Sequence, residues 1–125
     1  MKIKITINQL EFEATVYENE GAAQLLESLP LSFSMSRWGD EYYGSIPTEI
    51  YEGDDSRDVL EIGEIAFWPP GNAFCIFFGP TPMSEGSEPR AASDVVPLGM
   101  IDGGDGILSL RDLGPSVKAS ISVID

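Results

Sequence analysis

The sequence has no histidine, one cysteine and only 7 Lys or Arg against 21 Asp or Glu, and each scarcity closes off a chemistry. Without imidazole there is no Ser-His or Cys-His nucleophile pair, no His-ligated zinc and no side chain whose unperturbed titration falls near neutrality. A lone Cys75 builds neither a disulfide framework nor a thiolate metal cage. The formal net charge of -14 repels phosphate backbones, which excludes nucleic acid as a partner on electrostatic grounds. The longest purely apolar run, Ala73 to Phe78, is far too short to span a bilayer, and no basic leader with an apolar stretch behind it stands at Met1. The expectation is a soluble, cytoplasmic protein with no membrane partner.

What is present is enough for one domain, residues 1–125. A chain of this size typically buries about two-thirds of its unfolded surface, and 42% apolar content separates it from a disordered acidic tail. Thirteen Gly and nine Pro favour many short elements joined by turns. Ile3, Ile5 and Ile7 alternate with Lys2, Lys4 and Thr6, and Leu10, Phe12, Ala14 and Val16 repeat the period of two after Asn8-Gln9, which together predict an N-terminal hairpin. From Glu20 the period lengthens. Ala22, Leu25, Leu26 and Leu29 share a helical face, Asn19 is placed as N-cap, and Pro30 stops a helix of about two to three turns.

Alternation returns at Leu31, Phe33 and Met35, followed by a turn at Gly39-Asp40-Glu41 and a strand around Tyr42 to Ile46. Pro47 to Asp58 reads as a surface loop with an edge strand from Thr48 to Tyr51. Glu64 to Phe67 and Phe74 to Phe78 read as apolar strands flanking the Pro69-Pro70-Gly71-Asn72 corner, where Pro fixes φ and Gly is expected to supply the unusual one. After a Pro- and Ser-rich loop from Gly79 to Ala92 come a strand at Val95 to Ile101, a helical turn at Ile107 to Leu113, and a closing strand with Val117, Ala119, Ile121 and Val123 on one face. Seven or eight short strands without a βαβ rhythm predict a mostly β fold. A closed barrel is favoured because it leaves no open edge.

Carboxylates are abundant, but Asp54-Asp55, Asp102 with Asp105, and Asp40-Glu41 all fall in turns or loops where water would solvate them, so none is assigned a catalytic role. Asp102-Gly103-Gly104-Asp105-Gly106 lacks the spacing of a calcium loop, and no Gly-Lys-Ser/Thr follows to make a phosphate cradle. No metal and no cofactor is expected. Cys75, in an apolar strand, is expected to be buried and inert. The distinctive group is aromatic: Trp38, Tyr42, Tyr43, Phe67, Trp68, Phe74, Phe77 and Phe78 gather in three segments around one scarce cation, Arg37. Most of them are core residues on general grounds. Period two nevertheless sends some of Phe74 to Phe78 outward, and Arg37, Trp38, Tyr42, Phe74 and Phe78 are the candidates for a ligand pocket in which Arg37 bonds a carbonyl or carboxylate. Trp38 and Trp68 are expected to differ in burial.

The run from Glu64 to Ser84, with Trp68-Pro69-Pro70-Gly71 followed by Phe77-Phe78-Gly79-Pro80-Thr81-Pro82, resembles the signature of a small prokaryotic cyclophilin-like family of largely unknown function. Arg37-Trp38-Gly39-Asp40-Glu41-Tyr42-Tyr43 and the strand from Val95 to Gly99 fit the same family in order, and the match runs nearly end to end. The resemblance implies a cyclophilin-like closed β-barrel of about eight strands with one or two short capping helices. Cyclophilins are peptidyl-prolyl isomerases that seat proline on an apolar floor while an arginine favours the twisted amide, lowering a barrier of about 18–20 kcal/mol without acid, base or metal. Arg37 is the one residue carried over to that role. The Gln-Gly-Gly stretch of isomerases is replaced here by Asp40 to Gly44, and the later tryptophan and histidine are missing. The leading expectation is therefore a barrel that binds a small molecule or a proline-containing peptide with little or no isomerase activity. The alternatives are an isomerase using Arg37, or a structural domain without a pocket.

Overall fold

A computed structural model describes residues 1–51 and 53–124, with Asp105 by its backbone only. The N-terminal hairpin forms as its alternation requires. Strands β1 (Lys2–Ile7) and β2 (Leu10–Val16) pair with Ile3 opposite Ala14 and Ile5 opposite Phe12, and Asn8 takes the turn at φ 54°. Helix α1 (Glu20–Ser28) is capped by the Asn19 side chain, which accepts from the Ala22 amide at 2.7 Å. Its apolar stripe, Ala22 and Leu25, is buried in the main core.

Strands β3 (Leu31–Arg37) and β4 (Glu41–Ser45) follow, then β5 (Arg57–Val59), β6 (Glu64–Trp68), β7 (Ala73–Phe77), β8 (Arg90–Ile101) and β9 (Ser116–Ile124). Pairing runs β2-β1-β9-β3-β4-β7-β6-β8, and β8 returns to β2, so eight strands make a closed ring with β5 laid beside β8 as a ninth. The seam is tight. A Cβ at Gly99 would stand 2.5 Å from the Thr15 carbonyl oxygen, so the β2–β8 contact requires a residue with no side chain.

Several boundaries differ from the sequence reading. No strand forms at Thr48–Tyr51; Ile46 and Ile50 instead turn inward, 4% and 2% exposed, and the strand in this stretch is β5. Strand β8 begins at Arg90, well before Val95, and the turn at 107–113 is part of a 3₁₀ segment spanning Gly104–Asp112. At the Pro-Pro corner the left-handed residue is Asn72, at φ 50°, rather than Gly71. Gly71 is needed for space, because a Cβ there would meet the Trp68 ring at 2.8 Å. Val123 does not share the burial of Val117, Ala119 and Ile121 and is 39% exposed.

The strand β7 departs most from expectation. Every residue from Ala73 to Phe78 is buried, including those on the face away from the ring's interior. Phe74, Ile76 and Phe78 join the main core inside the ring, while Ala73, Cys75 and Phe77 enter a second core with Leu60, Ala66, Ala91 and Val95. Period two does send residues out of the ring, but Leu60, just after β5, and the start of β8 pack on them and keep them from water. Among the described residues no helix is long and apolar enough to cross a membrane.

Candidate functional site

The structure divides the predicted aromatic cluster between two faces of the wall. Arg37, Tyr42 and Phe78 stay together. The Tyr42 and Phe78 rings stack with centroids 5.7 Å apart, and the Arg37 guanidinium lies 5.2 Å from the Phe78 centroid and 5.9 Å from that of Tyr42. Arg37 is already engaged, however. Its Nε donates to the Gly39 carbonyl at 2.8 Å, Nη1 to the Arg111 and Leu113 carbonyls at 2.9 and 3.0 Å, and Nη2 to Asp40 Oδ1 at 2.9 Å. Tyr42 donates to the Gly114 carbonyl at 2.5 Å, and Asp40 Oδ2 also meets Arg111 Nε at 3.3 Å. Burial raises the Tyr42 phenol above its usual range against the pull of Arg37. The group ties the β3–β4 turn to the segment before β9. Tyr42, Phe74 and Phe78 are each 0% exposed, and Phe74 sits elsewhere in the core, edge-on to Phe33 at 5.9 Å.

Trp38 lies on the other side. With Glu41, Tyr43, Trp68, Ala91 and Ala92 it lines a cavity of about 270 Å³. Strand alternation explains the separation: β4 sends Tyr42 into the ring and Glu41 and Tyr43 out of it. The β6 strand brings Trp68, and the two alanines of β8 are small enough to leave the space open. Trp38 and Trp68, expected to differ in burial, are both half-buried around the same cavity. The Trp68 indole N–H donates to Ser93 Oγ at 2.8 Å, so this ring meets the cavity with carbon alone.

Glu41 was expected to be a solvated turn acid, and this is the reading the structure overturns. It opens β4, is 5% exposed, and its Oε1 has no hydrogen-bond partner among the described residues. Burial pushes its carboxyl up to about 8, with the neighbouring Cys75 thiol pulling the other way. Burial and the Glu41 charge hold Cys75 well above the ordinary thiol range, consistent with an inert sulfur. The missed signal is small: Glu41 is in phase with Tyr43 along the strand, yet Tyr43 is 38% exposed and Glu41 is buried, a contrast that alternation alone does not carry. Of the other acids, Asp102 is held by Lys2 Nζ at 2.5 Å and Thr15 Oγ1 at 2.9 Å, and the Asp105 carboxylate lies outside the described residues. No group of three or more metal-ligating side chains occurs among the described residues.

An eight-stranded ring of this connectivity, capped by a short helix, defines a cyclophilin-like domain. A family profile described as cyclophilin-like matches residues 1–119, and the chain belongs to that family. Among solved structures it is similar to the solution structure of the hypothetical protein AF2241 from Archaeoglobus fulgidus. The two are 30% identical with a TM-score of 0.78, over 98% of this chain and 93% of the other. A search of curated proteins finds no match.

Proposed function

We propose that this domain is a small-ligand-binding barrel whose site is the cavity between Trp38 and Trp68, and that Arg37 is a structural tie. The observation that carries the reading is Glu41, a carboxyl 5% exposed, lacking a partner for one oxygen and set in a cavity otherwise walled by aromatic rings and alanines. Such a group costs stability wherever it is placed without a partner. A few convergent polar atoms in a mostly apolar concavity is the usual form of a small-molecule site. An isomerase would need Arg37 to turn at least part of its fork toward a substrate amide, and four bonds already occupy it.

Heteronuclear NMR with a fragment mixture of neutral, anionic and cationic compounds tests the site. The expected result is movement of the Trp38 and Trp68 indole signals, and an affinity at least tenfold weaker in Ala92→Leu, where an exposed alanine is exchanged for a side chain that fills the space. Shifts confined to other surfaces, or unaffected by Ala92→Leu, would remove the assignment. For Arg37 the expectation is equally direct. Cis-trans exchange of an Ala-Pro peptide proceeds at its uncatalysed rate at high protein concentration, and Arg37→Ala lowers folding stability by on the order of 2 kcal/mol through lost charge-assisted hydrogen bonds. Acceleration that vanishes in a folded Arg37→Ala protein would restore the isomerase reading.

A further inference from the structure

Among the described residues Glu41 has no counter-charge, and none of those in the cavity wall can supply one. Of the elements packed round it, β7 contributes the Cys75 thiol, β4 the Tyr43 hydroxyl, and β6 and the β3–β4 turn contribute indoles. Strand β8 contributes alanines. Arg90, next to Ala91, is turned to Glu88 at 3.1 Å and Asp58 at 3.2 Å. Glu41 lines a cavity walled by two tryptophans and a tyrosine, its unpartnered Oε1 buried in that wall, and such a wall is complementary to a cation that has both a donor and an apolar body.

We infer that the cavity binds an alkylammonium head group, with Glu41 as its counter-ion and hydrogen-bond acceptor and Trp38, Trp68 and Tyr43 supplying π-faces. The inference rests on the reading of this cavity as the ligand site. Indole is the best aromatic partner for a cation, and the attraction strengthens as the cation is stripped of water. An inorganic divalent ion does not fit, because one carboxylate among carbon walls offers too few oxygens for its coordination shell. An anion would find no positive group among the described residues of the wall. The net charge of -14 also draws cations toward the surface as a whole.

The remaining rival is a neutral ligand whose acceptor takes a hydrogen bond from protonated Glu41, and pH separates the two. The empty site holds its proton up to about pH 8. A bound ammonium displaces that proton, so one proton is released per cation and affinity climbs about tenfold per pH unit up to about 8, then levels. A neutral acceptor shows the reverse, losing affinity as the proton leaves. Cys75, with its titration well above the usual thiol range, stays neutral across this window.

The test is titration calorimetry with n-butylammonium chloride and n-butanol as matched probes, from pH 6 to 9 at constant ionic strength, in two buffers of different ionisation heat. Nα-acetyl-lysine amide is a third probe, distinguishing a lysine side chain from a free amine as the source of the head group. The expected result is butylammonium binding at least tenfold tighter than butanol at pH 9, with proton release below pH 8 and loss of that preference in Glu41→Gln. Butanol binding as tightly, affinity falling with pH, or a preference that survives in Glu41→Gln would overturn the cation while leaving the ligand site standing. If neither these probes nor the neutral and anionic fragments perturb Trp38 and Trp68, the ligand site falls and the cation with it.

Discussion

Glu41→Gln is expected to be more stable than the parent protein at pH 9, by about 3–4 kcal/mol, and about 1 kcal/mol less stable than it at pH 4. In the folded chain the Glu41 carboxyl is raised from 4.5 to about 8 by burial. Between those values the folded state holds a proton that the unfolded state has released, so folding stability falls as pH rises through that interval. At about 1.4 kcal/mol per unit the full loss is on the order of 4–5 kcal/mol, and the buried amide of the variant costs about 1 of it. Chemical denaturation at a series of pH values, parent minus variant, isolates this group from every other titration. A difference that does not grow between pH 5 and 9 would show that Glu41 is paired or hydrated in solution.

Arg57→Ala is expected to cost about 3–5 kcal/mol, more than Glu64→Gln, although the two residues form one ion pair. Glu64 is 0% exposed and satisfied on both oxygens. Arg57 donates from Nη1 at 3.0 Å and also from Nη2, the Glu61 amide donates at 2.8 Å, and the Tyr17 hydroxyl donates at 2.8 Å. Desolvation works against the charge, but these donors outweigh it and hold the Glu64 carboxyl below its usual range. The pair therefore stabilises the fold above pH 4.5, and the contribution is lost as pH falls through the lowered folded value. Removing Arg57, whose side chain is 43% exposed, strands the carboxylate in the interior, whereas removing the carboxylate leaves a guanidinium that water can reach. Equal losses for the two variants in urea denaturation would contradict this asymmetry.

Glu41 and Glu64 look alike in sequence, each an acid at the start of a short apolar strand, yet one is fully satisfied and the other has a free oxygen. Their difference lies in hydrogen-bond partners, for Glu64 the nearby Arg57 and Glu61 as well as the distant Tyr17, and the apolar period of a strand records none of them. The same limit explains the rest. The hairpin, α1 and β3 were legible because a half-buried face writes its period into the sequence. Strand β7 was placed almost to the residue, but its second face was misread, since being outside the ring and being in water are the same only when nothing lies on top. The candidate residues were recovered in type and divided in space: alternation along β4 separates Tyr42 from Glu41, and with it the tie at Arg37 from the cavity at Trp38. The family signature around Trp68-Pro69-Pro70-Gly71 pointed to the fold correctly, while Trp68, which was not among the pocket candidates, forms one wall of that cavity.

The closed ring also brings the two ends of the chain together. Strand β1 pairs with β9 on its far side, Ile5 opposite Ile121, and β2 pairs with β8 at Val16 and Gly99, so both partners of the first hairpin come from the last third of the chain. Without those partners the hairpin would have two open edges, the exposed rows on which strands of different molecules join. Its register places Lys4 across from Glu13, and Lys2, Glu11 and Glu13 also face away from the core. Charges of this kind blunt an open strand edge against pairing with other molecules, and here they lie on the hairpin whose ring partners come last in the chain.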